Sequence, residues 1–274
     1  MSNIEFTLLM CTYKNDDPIL LEKAIESIYR NSIKPNFFIL TIDGPIPNKN
    51  EQVINKLVKK FPIEINNLNK NIGLANALNS AIKLVKTQWI ARADSDDLNA
   101  SNRFEKQILY AEKGFDVIGS NIYEIDIYET VQLGKLKKIM PKNNKQIRNF
   151  SRFRNPMNHM TTFYKTEDIK LVGGYPNIYL REDYGLWAKL ISHNKNFINI
   201  DDFLVCVNGG NNFYLRRGGI KNAIAEVKLQ FYLFKYNIQP LYSALLLGFV
   251  RAFLLLLPKV ILKSFYRNIL RKKN

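Results

Sequence analysis

Residues 6–29 read FTLLMCTYKNDDPILLEKAIESIY, and this stretch decides the fold. Phe6 to Thr12 is a short apolar run suited to a buried strand. Asp17 then offers a helix N-cap with Pro18 at the first helical position, and Leu20, Leu21, Ala24, Ile25, Ile28 and Tyr29 recur at helical spacing. The unit is a strand followed by an amphipathic helix. Downstream the pattern repeats: Phe37 to Ile42 reads as a strand, Glu51 to Phe61 as a helix, Ile63 to Ile65 as a strand, Leu74 to Val85 as a helix and Trp89 to Ala93 as a strand. Strands alternating with helices predict an α/β fold, a mostly parallel sheet with helices on both faces. Ligands of such sheets bind beyond the carboxyl ends of the strands. Thr12 and Tyr13, Asp43, and Asp94 to Asp97 all fall there.

Asp94-Ser95-Asp96-Asp97 carries the strongest chemical signal. Three carboxylates at one strand end repel one another unless a divalent cation or hydrogen-bond donors compensate, although a solvated turn capping the next helix has the same composition. Glu182-Asp183 opens a second helix-like stretch, where acids also suit the helix dipole. His159, taken alone, reads as a core or loop histidine satisfied by hydrogen bonds. Arg216-Arg217-Gly218-Gly219 reads either as ordinary surface charge or as a loop that brings guanidinium groups onto phosphates, and Asn71-Ile72-Gly73-Leu74 either as a plain turn before a helix or as one presenting backbone amides to a ligand.

Composition narrows the class. With 274 residues and 46% hydrophobic content the chain can bury a large core, which excludes general disorder. The 40 basic against 24 acidic residues give a net charge of +16. From Arg216 onward there are twelve basic residues and one acid, Glu226, so the first 215 residues hold only +5. Acids at the strand ends would repel DNA, so the basic excess points to an anionic membrane surface and not to nucleic acid. Leu241 to Leu257 is apolar apart from Arg251 and falls slightly short of a membrane span. After Pro258, Lys259, Lys263, Arg267 and Arg271 recur every four positions opposite apolar residues, an interfacial helix pattern. Two cysteines, Cys11 and Cys206, and an N-terminus without a signal-like segment predict a reducing, cytoplasmic setting.

Taken in order, Thr12-Tyr13, Asp43, Asn71-Ile72-Gly73-Leu74-Ala75, Ala93-Asp94-Ser95-Asp96-Asp97, Asn102-Arg103-Phe104 and Glu182-Asp183-Tyr184-Gly185-Leu186-Trp187 resemble family 2 glycosyltransferases of the GT-A fold, over roughly residues 4 to 220. The resemblance implies a Rossmann-like catalytic domain over 1–220, and the remaining 221–274 reads, from its own apolar and basic pattern, as a helical, membrane-associating tail. It implies that Thr12, Tyr13 and Asp43 contact the base and ribose of a UDP-sugar. Asn71, Gly73, Asp94, Arg216 and Arg217 would complete the nucleotide-sugar site. Asp96 and Asp97 would hold Mn²⁺ or Mg²⁺ on the diphosphate with His159 nearby, and Asp183, with Glu182 beside it, would be the general base. Two departures stand out: many members carry an arginine where this chain reads Ala77-Leu78-Asn79, and the acidic pair often found after the second strand is here Asp43 followed by Gly44-Pro45.

Within the family, Asn155-Pro156-Met157-Asn158-His159 and the Arg-Arg-Gly-Gly stretch are similar to bacterial enzymes that assemble O-antigen, capsule or exopolysaccharide repeat units. Those act at the cytoplasmic face of the inner membrane on sugars carried by undecaprenyl diphosphate. The resulting expectation is an inverting transfer of a hexose, galactose or glucose, to a lipid-linked N-acetylhexosamine. The alternatives are a polyprenyl-phosphate glycosyl synthase, which needs no hydroxyl deprotonation, and a non-enzymatic membrane-surface binder, which leaves the acidic strand ends unexplained.

Overall fold

The computed structural model describes residues 4–125, 136–208 and 218–257. It begins as the sequence dictates, with β1 (Phe6–Thr12), α1 (Pro18–Tyr29), β2 (Phe37–Asp43), α2 (Asn48–Lys60), β3 (Glu64–Leu68), α3 (Leu74–Leu84) and β4 (Trp89–Arg92). Asp17 caps α1, its side chain accepting from the amides of Ile19 and Leu20, with Pro18 in the first turn. The short β5 (Leu98–Asn99), α4 (Arg103–Glu112), β6 (Val117–Ile125), β7 (Leu136–Lys138) and α5 (Asn144–Phe150) follow. A 3₁₀ turn (His159–Thr161), β8 (Phe163–Lys165), α6 (Thr166–Leu171), α7 (Glu182–Ser192), β9 (Phe197–Asn208), α8 (Ile220–Lys235) and α9 (Leu241–Leu256) complete the described chain.

The strands form one sheet in the order β3-β2-β1-β4-β8-β6-β9-β5, with β7 on β6. The four N-terminal strands are parallel, as strand–helix alternation requires. The expectation of a mostly parallel sheet needs correction beyond β4. There β8 runs antiparallel to both β4 and β6, and β5 and β7 pair antiparallel with β9 and β6. The sheet is therefore mixed: β7 returns as a hairpin on β6, β8 and β5 enter antiparallel, and β9 reaches β6 by a parallel crossover. β3 also lies later than read, at 64–68: Asn66 and Asn67 look like loop residues, yet Leu68 pairs beside Asp43 and Asn66 donates to Thr41 Oγ1.

Alternation along β1 divides the core into two layers. Phe6, Leu8 and Met10 pack with Leu21 and Ile25 of α1, Leu57 of α2 and Phe104 of α4. Leu9 faces the other way and joins Ile39, Leu78, Ile90, Trp187 and Leu229. Ala225, Leu229 and Leu233 of α8 belong to this second layer, so the inner face of α8 shares the core of α7. α9 lies on α8 through Ala244, Gly248 and Leu255. No helix among the described residues is long and apolar enough to cross a membrane. The basic repeat after Pro258 lies outside the described residues.

Candidate active site

Because β2, β1 and β4 are parallel neighbours, their carboxyl ends open at one edge, and Asp43, Thr12 and Asp94 to Asp97 converge there. Oxygens of Asp94, Asp96 and Asp97 all lie within 4.8 Å of one another. Asp97 is buried; its Oδ1 accepts from the Asn208 amide at 3.0 Å while Oδ2 has no hydrogen-bond partner. Burial, then repulsion by Asp96, pushes the Asp97 carboxyl up to about 8. A crowded all-oxygen donor set with an unsatisfied buried carboxylate oxygen suits a hard divalent cation such as Mg²⁺ or Mn²⁺.

Two buried arginines underlie this group. Arg92, the last residue of β4, ion-pairs with Asp94. Arg103 is fully buried at the start of α4, donating to Arg92 O at 2.6 Å and Gln107 Oε1 at 3.1 Å. Burial and the neighbouring Arg92 lower the Arg103 guanidinium to about 9. Sequence reading passed over Arg92, since an arginine inside an apolar strand gives no periodic signal. It also missed Asp16. The Asp16 carboxylate accepts from Ser95 Oγ at 2.7 Å and from the Tyr13 amide at 3.3 Å, and burial above all raises its pKa. Thr12 is buried and lies beside Asp16, so the loop after β1 is tied to the Asp94–Asp97 turn through Ser95. The signal is the first acid of Asp16-Asp17, whose neighbour Asp17 serves as the helix cap.

Asp43 is engaged within the fold. Its two carboxylate oxygens accept from the amides of Ile72 at 2.7 Å and Gly73 at 3.0 Å, and Asn71 Nδ2 donates to its carbonyl at 3.1 Å. The turn before α3 thus gives the Ile72 and Gly73 amides to Asp43. Gly44 explains the close approach: at φ +85° a Cβ would sit 2.4 Å from Asn71 N.

The second acidic pair opens α7. Glu182 is buried and pushed up to about 7, first by burial and then by Asp183. Asp183 is also raised by burial, opposed by Asn155 Nδ2 donating to Oδ2 at 2.5 Å and the Tyr184 amide donating to Oδ1 at 2.7 Å. Arg92 attracts Asp97, Glu182 and Asp183 alike, which connects the pair to the carboxylate group on β4. His159 stands outside that carboxylate group. It is buried, with Nε2 2.9 Å from Tyr175 Oη, which is in turn 2.8 Å from Tyr164 Oη. Burial and then Arg92 hold its pKa well below the usual histidine range, so the ring is neutral. Arg216 and Arg217 lie outside the described residues.

A sheet edge with a triple carboxylate just after β4 and a buried acid pair on α7 is the architecture of a GT-A enzyme. The glycosyl transferase family 2 model matches residues 7–181, and the chain belongs to that family. It is a nucleotide-sugar-dependent glycosyltransferase. It is 34% identical over 270 residues to an Escherichia coli protein named UDP-Gal:alpha-D-GlcNAc-diphosphoundecaprenol beta-1,3-galactosyltransferase, covering 98% of this chain and 97% of that one. It is 31% identical over 226 residues to the Amylovoran biosynthesis glycosyltransferase AmsE of Erwinia amylovora, covering 82% and 84%. Among solved structures, S. aureus TarS superposes with a TM-score of 0.67 at 14% identity over 98% of this chain, which spans only 46% of TarS. The mannosyltransferase PcManGT of Pyrobaculum calidifontis, in complex with GDP-Man and Mn2+, gives 0.64 at 15% identity, covering 98% of this chain and 81% of that one. At such identities these two structures speak for the fold.

Proposed function

We propose that this enzyme transfers galactose from UDP-galactose, with inversion, to a hydroxyl of an N-acetylhexosamine carried on undecaprenyl diphosphate, in the assembly of a surface polysaccharide. The observation that carries the reading is the pairing of Asp94, Asp96 and Asp97, in the turn after β4, with a separate buried base candidate, Asp183, on α7. One set of acids suits the diphosphate end of the donor and the other the acceptor hydroxyl. The name of the E. coli relative supports the donor and the lipid-linked acceptor, and the AmsE name supports a polysaccharide product. The GDP-Man and Mn2+ of PcManGT support a metal-assisted donor site.

Asp94, Asp96 and Asp97 would hold Mn²⁺ or Mg²⁺, which when bound supplies charge neutralisation for the departing nucleoside diphosphate. Asp183, held in one rotamer by Asn155 and the Tyr184 amide, takes the proton of the acceptor hydroxyl. The bond from the anomeric carbon to the diphosphate oxygen breaks as the bond to the acceptor oxygen forms. A single displacement converts an α-linked donor into a β-linked product. The hydrogen bonds from Asn155 and the Tyr184 amide, with Arg92 adding to them, oppose the effect of burial and favour the charged form of Asp183. The segment from 221 onward would keep the enzyme at the cytoplasmic face of the membrane that carries the acceptor.

The test is an assay of full-length enzyme with UDP-galactose, UDP-glucose and UDP-N-acetylglucosamine against synthetic lipid-diphosphate N-acetylglucosamine and against polyprenyl phosphate. Galactose transfer to the first acceptor with a β linkage is expected. Transfer only to polyprenyl phosphate would replace the reading with a synthase.

A further inference from the structure

Along α9, Ala244, Gly248 and Leu255 turn inward onto α8, while Tyr242, Leu245, Leu246, Phe249, Val250 and Phe253 stand exposed on the other side. Phe249 is 73% exposed and Tyr242 77%. Their spacing of three and four puts them on a single face. The only charge in the helix does not interrupt that face: Arg251 turns inward, 3.4 Å from Glu226 Oε1, and donates to the carbonyl of Phe153. On α8, Ile224, Phe231 and Phe234 are exposed, and Lys221, Lys228 and Lys235, seven residues apart and hence on one stripe, are exposed as well. An apolar face of this extent is rare on a soluble monomer and marks a contact surface.

Charge selects the occupant. The one acid of α8 and α9, Glu226, is buried between Arg181 and Arg251, so the exposed surface of the hairpin offers lysines and no carboxylate. A second copy of the chain would bring like-charged stripes toward each other, whereas anionic headgroups complement them. α9 has 16 residues, about 24 Å if upright, too short to span a hydrocarbon core of about 30 Å. With one side committed to α8, it lies in the membrane plane. The surface also reaches the site: Lys221 Nζ sits 3.7 Å from the ring centroid of Tyr179, and Tyr179 and Leu180 are exposed immediately before Arg181-Glu182-Asp183.

We propose that the α8–α9 hairpin is a monotopic docking face for an anionic phospholipid bilayer. Its apolar face meets the acyl boundary, its lysine stripe meets the headgroup phosphates, and the Tyr179–Leu180 edge turns the acid pair toward the membrane. The last element rests on the lipid-linked acceptor reading; the docking itself does not.

The test uses the full-length protein in flotation with vesicles of phosphatidylglycerol and phosphatidylethanolamine, and with phosphatidylcholine alone. Replacing Lys221, Lys228 and Lys235 together by Gln should weaken partition into the anionic vesicles roughly 10²-fold at low salt. The double variant Phe249→Ser and Phe253→Ser should weaken it roughly tenfold or more at every salt concentration. Both variants should keep the wild-type melting temperature and transfer to a short-chain soluble acceptor, and lose transfer to long-chain acceptor in vesicles. Wild-type flotation of both variants overturns the proposal. So does sedimentation of the wild type as a dimer that the Phe variant dissociates with vesicle binding unchanged. Flotation that the variants abolish, with no transfer to any acceptor, upholds the docking face and removes the acceptor reading instead.

Discussion

At the scale of single residues, the buried acid pair makes the sharpest predictions. Asp183→Asn keeps the size and the Asn155 side of the contact but removes the base, so kcat should fall roughly 10²-fold or more with little change in the KM for UDP-sugar. Glu182→Gln should cost much less. Burial raises both acids, and repulsion by Asp183 helps to lift Glu182 to about 7, so each holds its proton to a higher pH than a free carboxyl. A base works deprotonated, so kcat/KM should fall as pH drops through that range and level off above it. In Asp183→Asn the residual acid limb should move to lower pH, because Glu182 loses its like-charged neighbour. An acid limb left in place by the substitution would reassign the titrating group. The acids on this edge were legible in the sequence because carboxylates clustered at strand ends need compensation. The compensating charge on β4 was not: Arg92 sits in an apolar strand and acquires meaning only from the fold, and Arg103, legible as part of the Asn102-Arg103-Phe104 motif, gave no sign that it would lie buried beside it.

At the scale of elements, two joints deserve mutation. Gly44→Ala places a methyl 2.4 Å from Asn71 N at a positive φ, so the turn before α3 must shift and the Asp43 contacts with Ile72 and Gly73 must break. The conformational strain alone is about 1–2 kcal/mol, and the KM for donor should rise with the melting temperature falling. The other joint is the Arg181–Glu226–Arg251 cluster, which fastens α9 and α8 to the start of α7. Glu226→Ala strands two guanidinium groups and should destabilise the protein by about 3 kcal/mol, read as a lower melting temperature with faster amide exchange in α9. Helices and parallel strands up to β4 were readable because local periodicity and burial agree there. β9 was not, since Phe197–Asn208 is a strand only by virtue of β6, from which it takes a register shift at Ser120 and Asn121.

At the scale of the whole molecule, ligand linkage gives a test independent of turnover. UDP and Mn²⁺ together should raise the melting temperature well above the effect of either alone; at a hundredfold excess over Kd the gain is about 2.7 kcal/mol. Asp96→Ala should remove the joint effect while leaving the unliganded melting temperature close to wild type, and an undiminished joint shift in that variant would exclude the metal role. The two-layered core carries a further consequence, for synthesis on the ribosome. By residue 112 the chain has made α1, α2 and α4, which close one side of the first four strands. On the other side only α3 is in place, with Leu78 against Leu9 and Ile39, and the rest of that layer awaits Trp187 and Leu229. At about 5–20 residues per second, the intervening stretch takes several seconds to emerge. For that interval the nascent protein presents a half-covered sheet, and stalled chains ending between these points should bind holdase chaperones that chains extended past α8 no longer recruit.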